Sequence, residues 1–192
     1  MKHPHSPEED AKLMALVAQG DAVACRLLVQ RHLGPLVGLA LRITNNNSEA
    51  EDIAQEAFVR LWKQSANWQA KAKISTWLYR VTHNLSIDAI RRRQRQNLAA
   101  TDMTEIENTS TNQTEMRHKQ DVTNQVEAAI SSLPERQRTA ITLVHHRDLR
   151  NKEAANIRNI SVDAIESLLA RARRNLRQAL EQQREDLLGA KG

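Results

Sequence analysis

The chain has 192 residues, a formal net charge of +5 and a sequence pI near 9.7. That length admits one large domain or two small ones, and an excess of charge this modest matters more by its placement than by its size. Five Gly leave little room for a phosphate-cradling loop, and one Cys excludes an intramolecular disulfide.

Ala, Leu, Gln, Arg and Glu dominate, which favours helix, and no convincing alternating strand pattern occurs. The expected fold class is all-α. No apolar signal segment and no stretch approaching a membrane span is present, so no membrane insertion is expected. A lone thiol, Cys25, suits a reducing cytoplasm. No catalytic triad or paired-carboxylate pocket can be argued. His32, His145, His146 and Cys25 give no compact ligand set, so no metal, cofactor or enzyme activity is expected.

In chain order, residues 1–7 read as a loose tail. Glu8 to about Ala18 is a helix with Leu13, Leu16 and Val17 inward. Gly20 stops it and Asp21 caps the next, which runs to about His32 with Cys25, Leu28 and Val29 inward. Gly34-Pro35 predicts a break, with Pro35 opening a third helix to about Thr44. Asn45-Asn46-Asn47 is a turn. Ser48 followed by Glu51 predicts a capping box before a helix of roughly 49–66, with Ile53, Ala57, Val59, Leu61 and Trp62 inward. Residues 64–73 read as a loop.

Residues 74–93 carry two stripes. Ile74, Trp77, Leu78, Val81, Leu85 and Ala89 share one helical face; Arg80, Asn84 and Arg91 lie about a quarter-turn round. The helix ends in Arg91, Arg92, Arg93 and Arg95. Apolar anchoring beside amide and guanidinium groups and a cationic end suit a reader of nucleic acid. Trp77, near the apolar stripe, is expected to pack in the core.

Residues 98–121 are rich in Thr, Asn, Gln and acids and could form no core, so they read as a flexible acidic linker between domains at 8–97 and 122–185. Val126, Ala129, Ile130 and Leu133 give one helix, closed by Pro134. Another opens at Pro134 with Ala140, Ile141 and Val144 inward. A short helix over about 152–157 turns at Arg158-Asn159, and Ser161 caps a last helix of about 162–184. Ile165, Leu168, Leu169, Ala172, Leu176 and Leu180 form its apolar stripe, with Ser167, Arg171 and Arg174 opposite. Helix, tight turn and cationic helix form a helix-turn-helix.

These motifs, in this order, resemble the extracytoplasmic-function (ECF) sigma factors, small two-domain members of the sigma-70 family of bacterial RNA polymerase. Glu51 to Trp62 looks like the region 2 core-binding helix. Thr76 to Arg80, Asn84, Asp88 and Arg91 to Arg93 look like the promoter-reading helix. Leu133 to Arg138 looks like the opening of region 4. Asn151 to Ala155, Ser161-Val162, Ser167 and Arg171 to Arg173 look like its helix-turn-helix.

The resemblance implies a sigma factor that binds core RNA polymerase through its beta-prime and beta subunits and directs initiation at promoters. It implies Asp52, Gln55 and Glu56 at the beta-prime coiled coil. Arg80 and Asn84 would contact the opened −10 strand, with Arg91, Arg92 and Arg93 on phosphates. Ser161, Ser167, Arg171 and Arg174 would serve the −35 duplex. An anti-sigma factor is an implied further partner. Arg150, Asp163, Ala164, Glu166 and Ala170 depart from the family pattern, so no base preference is carried over. The competing class is a stand-alone helix-turn-helix regulator, which would have no use for a core-docking helix.

Overall fold

The computed structural model of the chain describes residues 7–69, 73–99, 119–146 and 149–189. Residues 1–6 of the expected tail and the acidic centre of the linker (Asp102, Glu105, Glu107 and Glu115) lie outside these, while Pro7 is helical. The described residues form eight α-helices and no strand: α1 (Pro7–Ala18), α2 (Ala22–Thr44), α3 (Asn47–Gln64), α4 (Ile74–Ala99), α5 (Lys119–Ser132), α6 (Glu135–Ile141), α7 (Asn151–Arg158) and α8 (Val162–Gly189). A short 3-10 turn, Ser65–Asn67, follows α3, and a π turn, Thr142–His146, extends α6.

The first four helices make one bundle. Pro7 starts α1, where its missing N–H has no consequence, and Glu8, Glu9 and Asp10 complement the positive end of the helix. Met14 and Val17 are buried, whereas Leu16, expected inward, is 41% exposed. Asp10 ties α1 to α2: it accepts from Arg31 at 2.9 Å and from His32 Nε2 at 2.8 Å. Burial raises its pKa, but the hydrogen bonds and charges of His32 and Arg31 outweigh this and hold the carboxyl below its ordinary value. At the next turn Gly20 takes φ +87°, and Asp21 caps α2 by accepting from the N–H groups of Val23 (2.7 Å) and Ala24 (3.0 Å).

α2 does not break at Pro35; it runs unbroken to Thr44. An interior proline costs about 3 kcal/mol or more through its lost N–H and its clash with the preceding turn. Two features offset that here. The residue before the proline is Gly34, which has no side chain to take part in the clash that disfavours helix there. Leu28, Leu36, Leu39, Ala40 and Ile43 are all fully buried along the same helix, so breaking it would expose the centre of the core. The capping box expected at Ser48 and Glu51 is also displaced. Asn45 takes the left-handed conformation (φ 55°), which reverses the chain at once. Asn46 then becomes the cap, accepting from Glu49 N at 2.9 Å.

α3 presents Ala50, Ala54 and Ala57 to α2 and α4, and these small side chains let the helices approach closely around Ile53, Leu61 and Leu78. The C-terminal helices form a second bundle. Leu133, Ala140, Ile141 and Leu143 pack beneath α7 and α8, which bury Ala154, Ala155, Ile157, Ile165, Leu169 and Ala172. Val126, expected inward, is 37% exposed. α4 lies against α7, and α2 against α6, so one continuous cluster of buried residues runs through both bundles, with Ala40, Ala50, Ile53 and Ala89 in a smaller one beside it.

Candidate functional site

Three surfaces concentrate the polar and apolar groups that packing leaves free. The first is on α3. At 100° per residue, Ala50, Ile53, Ala54, Ala57 and Leu61 occupy one arc of the helix. Val59 and Trp62 lie well outside it, on the side of Glu51, Asp52 and Gln55. Val59 is 44% exposed and Trp62 53%, which corrects their expected inward placement. With Leu28, Val29, Leu33, Val37 and Phe58 they line a largely apolar groove of about 600 Å³ between α2 and α3, at whose edge Glu51 and Gln55 stand. Asp52 and Glu56 are exposed alongside, and Glu56 accepts from Arg60 at 2.8 Å. Cys25 also lines the groove; burial raises its thiol pKa, so it behaves there as a small apolar group.

The second surface is on α4. Ile74, Leu78 and Ala89 are buried, and Trp77, Val81 and Leu85 are half-buried against the bundle, as the spacing predicts. Trp77 meets Trp68 edge to face, with ring centroids 5.8 Å apart, and is a packing residue. Arg80, Asn84 and Arg91 share one exposed stripe. Arg92 and Arg93 do not join it. Half a turn away, Arg93 donates to the Thr44 carbonyl at 3.1 Å, and both arginines stand within 3.9 Å of Glu49. Arg93 thus neutralises the carbonyl end of α2.

α4 also carries a third face, which the sequence reading missed. His83, Ile87 and Ile90 turn toward the C-terminal bundle. His83 is buried; with its proton on Nδ1 it donates to Asn84 Oδ1 at 3.2 Å, and Nε2 has no partner. Burial, reinforced by the charge of Arg158 and opposed by Asn84 and Glu135, lowers its pKa.

The third surface is the helix pair α7 and α8. Glu153 accepts from the Arg150 backbone N–H at 3.1 Å, which steadies the first turn of α7 although Arg150 stands where a short capping side chain would serve. Asn159 turns the chain at φ 54°, and Ser161 Oγ accepts from Ala164 N at 3.1 Å, so Ser161 is the cap of α8. Asn175 donates to Gln137 at 2.9 Å and fixes α8 on α6. Ser167, Arg171 and Arg174 are exposed along the outer side of α8. Among the described residues, no group of three or more His, Cys, Asp or Glu could hold a metal ion.

An apolar groove on one helix, a cationic helix beside it and a helix-turn-helix behind it define a two-domain helical DNA-binding protein with a further docking face. Residues 28–96 match the Sigma-70 region 2 family, and residues 123–176 match Sigma-70, region 4. The chain is 30% identical to the RNA polymerase sigma-H factor of Pseudomonas aeruginosa, over 91% of this chain and 95% of that protein. It is 31% identical to the ECF RNA polymerase sigma factor SigW of Bacillus subtilis, over 88% and 95%. Among solved structures, CnrH in complex with the cytosolic domain of CnrY matches with a TM-score of 0.65 and 25% identity, over 91% of this chain and 98% of that one. The sigma factor RpoE of Bartonella quintana, solved with the anti-sigma factor NepR, shares the fold at a TM-score of 0.70 and 22% identity, over 81% and 96%. The chain belongs to the extracytoplasmic-function branch of the sigma-70 family of RNA polymerase sigma factors.

Proposed function

We propose that this sigma factor docks on core RNA polymerase through the α2–α3 groove and reads promoters at two points, with α4 on the opened −10 strand and α8 in the −35 major groove. The observation that carries the reading is the groove itself. Glu51, Gln55, Val59 and Trp62 line up along α3 at helical spacing, an exposed apolar strip with a polar margin. A strip of this kind is made for a partner helix, and the acidic Asp52 and Glu56 beside it favour a basic one. The beta-prime coiled coil supplies such a helix, with the beta subunit holding the C-terminal domain.

The domain limits follow as 8–97 for core and −10 binding and 122–185 for −35 binding, with 98–121 between them. Arg80 and Asn84 hold unpaired bases by polar contacts, and Arg91 and Arg92 hold phosphates. Arg93 supports the fold of that surface through Thr44 and Glu49. Ser167, Arg171 and Arg174 meet the −35 duplex, while Ser161 positions α8 for them. The protein acts by binding rather than by catalysis, in the cytoplasm where the polymerase works. An anti-sigma factor is a further partner, since one protein of this fold is solved with one.

The test is promoter opening. Promoters are first selected by sequencing DNA bound after expression. Permanganate reactivity of −10 thymines should then appear only when core enzyme and this protein are both present. Opening without the protein, or none with it, contradicts the reading.

A further inference from the structure

We propose that Glu166 reads a cytosine in the −35 duplex and is held in reading position by Asn151 of α7. The proposal rests on the assignment of α8 to the −35 major groove and adds the base that its leading turns select. The buried Ile165, Leu169 and Ala172 fix the inner side of α8, and at 100° per residue Asp163, Glu166, Ser167 and Ala170 fall on the exposed side. The leading residues of a recognition helix are the ones that reach base edges. Here they are two carboxylates, a hydroxyl and a methyl group, and the first cation of the helix is Arg171, roughly two and a half turns in. A leading edge of this kind offers acceptors to the bases, so it selects bases that donate.

The charge of Asp163 has a local use, because an acid in the first turn complements the positive end of the helix. Glu166 lies beyond that turn, and the Ala164 N–H is already served by Ser161. Its carboxylate is bound from across the turn instead: Asn151 Nδ2 donates to Glu166 Oε1 at 3.2 Å. Asn151 is the first residue of α7 and is half-buried, so the first helix of the pair restrains a side chain of the second. Oε2 accepts from no group among the described residues. In the major groove guanine shows the acceptors N7 and O6 and thymine the acceptor O4, all of which repel a carboxylate. Adenine shows a donating amino group beside the acceptor N7, and cytosine shows its amino group alone. Glu166 therefore favours cytosine, takes adenine second and rejects the other two. Its negative charge also weakens attraction to phosphates on any sequence, so the residue adds selectivity while lowering overall affinity.

Holoenzyme assembled from core enzyme and the full chain is offered a promoter library randomised through the −35 element, and the bound DNA is sequenced. Wild type should enrich cytosine at one −35 position, at least about fivefold over guanine or thymine. Glu166→Gln keeps the shape but supplies an amide, which pairs with adenine N6 and N7, so the preference at that position should move to adenine while the other positions stay as they were. Glu166→Ala should leave that position without a preference, and it gives a second reading should the glutamine disturb α8. Asn151→Ala should cut the discrimination at the same position by about half or more without changing the preferred base, whereas a general loosening of the helix pair would blur every position. The proposal is overturned if both Glu166 variants select the wild-type base throughout, or if wild type prefers guanine or thymine at the position they alter. Arg171→Ala separates the two levels of the argument. If it changes −35 selection where the Glu166 variants do not, α8 still reads the duplex and Glu166 alone is excluded. If none of these variants changes it, the assignment of α8 falls as well.

Discussion

Trp62→Ala puts the docking groove to a quantitative test. Trp62 remains 53% exposed on the free chain. A Trp side chain can bury about 150–250 Å², so roughly 100 Å² or slightly more is left for a partner to cover. At about 25 cal/mol per Å² this corresponds to about 2.5 kcal/mol, or roughly 60-fold in Kd for core enzyme. Central aromatic residues in interfaces typically reach this range when truncated. The part of the ring already packed against the groove contributes to folding, and its loss should lower stability by about 2 kcal/mol. Binding of dye-labelled protein to purified core enzyme, followed by anisotropy, reads the first effect, and thermal unfolding by circular dichroism reads the second. A loss of less than about threefold in a folded variant would show that Trp62 is not buried by the polymerase. The argument for the groove would then fail at its central residue.

Asn84→Ala should slow or prevent open-complex formation, read by permanganate, while core binding changes by less than about twofold, because Asn84 lies on α4 away from the groove. Arg171→Ala and Arg174→Ala should each flatten the salt dependence of −35 duplex binding by about one unit of slope, and only a residue that reads bases should also relax sequence preference. Asp10→Ala leaves Arg31 and His32 without their shared carboxylate and should destabilise the N-terminal bundle by about 2 kcal/mol in urea melts. His83 faces Arg158 of α7, Glu135 and Arg136 of α6 and Arg171 of α8, beside Arg91 of its own helix. Its pKa is lowered from 6.5 where it is buried, so well above that value the imidazole is neutral in the folded and the unfolded chain alike and its burial carries no protonation penalty. As pH falls below 6.5 the unfolded chain takes up the proton more readily than the folded one, and the fold loses stability. Thermal unfolding should therefore show a lower midpoint at mildly acidic than at neutral pH, and His83→Gln should reduce that dependence.

The inward stripe of α4, the stop at Gly20, the Asp21 and Ser161 caps and the left-handed Asn159 were all legible, because each rests on local backbone chemistry or on one helical face. Pro35 was not, since its local preference to break a helix is overridden by the burial of Leu28, Leu36, Leu39 and Ile43 on both sides of it. Val59 and Trp62 were placed inside because they are large and apolar. Their angular positions, opposite Ile53 and Ala57, were the signal that could have placed them outside. Arg92 and Arg93 follow Arg91 in sequence but turn by 100° per residue, so a run of arginines does not make one cationic face. The third face of α4 carried a signal with no partner to explain it. His83, Ile87 and Ile90 fall at helical spacing, but nothing in the sequence says that a second bundle covers that face.

The most direct measurement of the central claim is run-off transcription with purified core RNA polymerase on templates carrying the selected promoters. Addition of the protein should produce discrete transcripts from those promoters and none from control DNA. The Trp62→Ala variant should need far more protein to reach the same yield. Transcription that is unchanged by the protein, or stimulated equally on every template, would contradict the account.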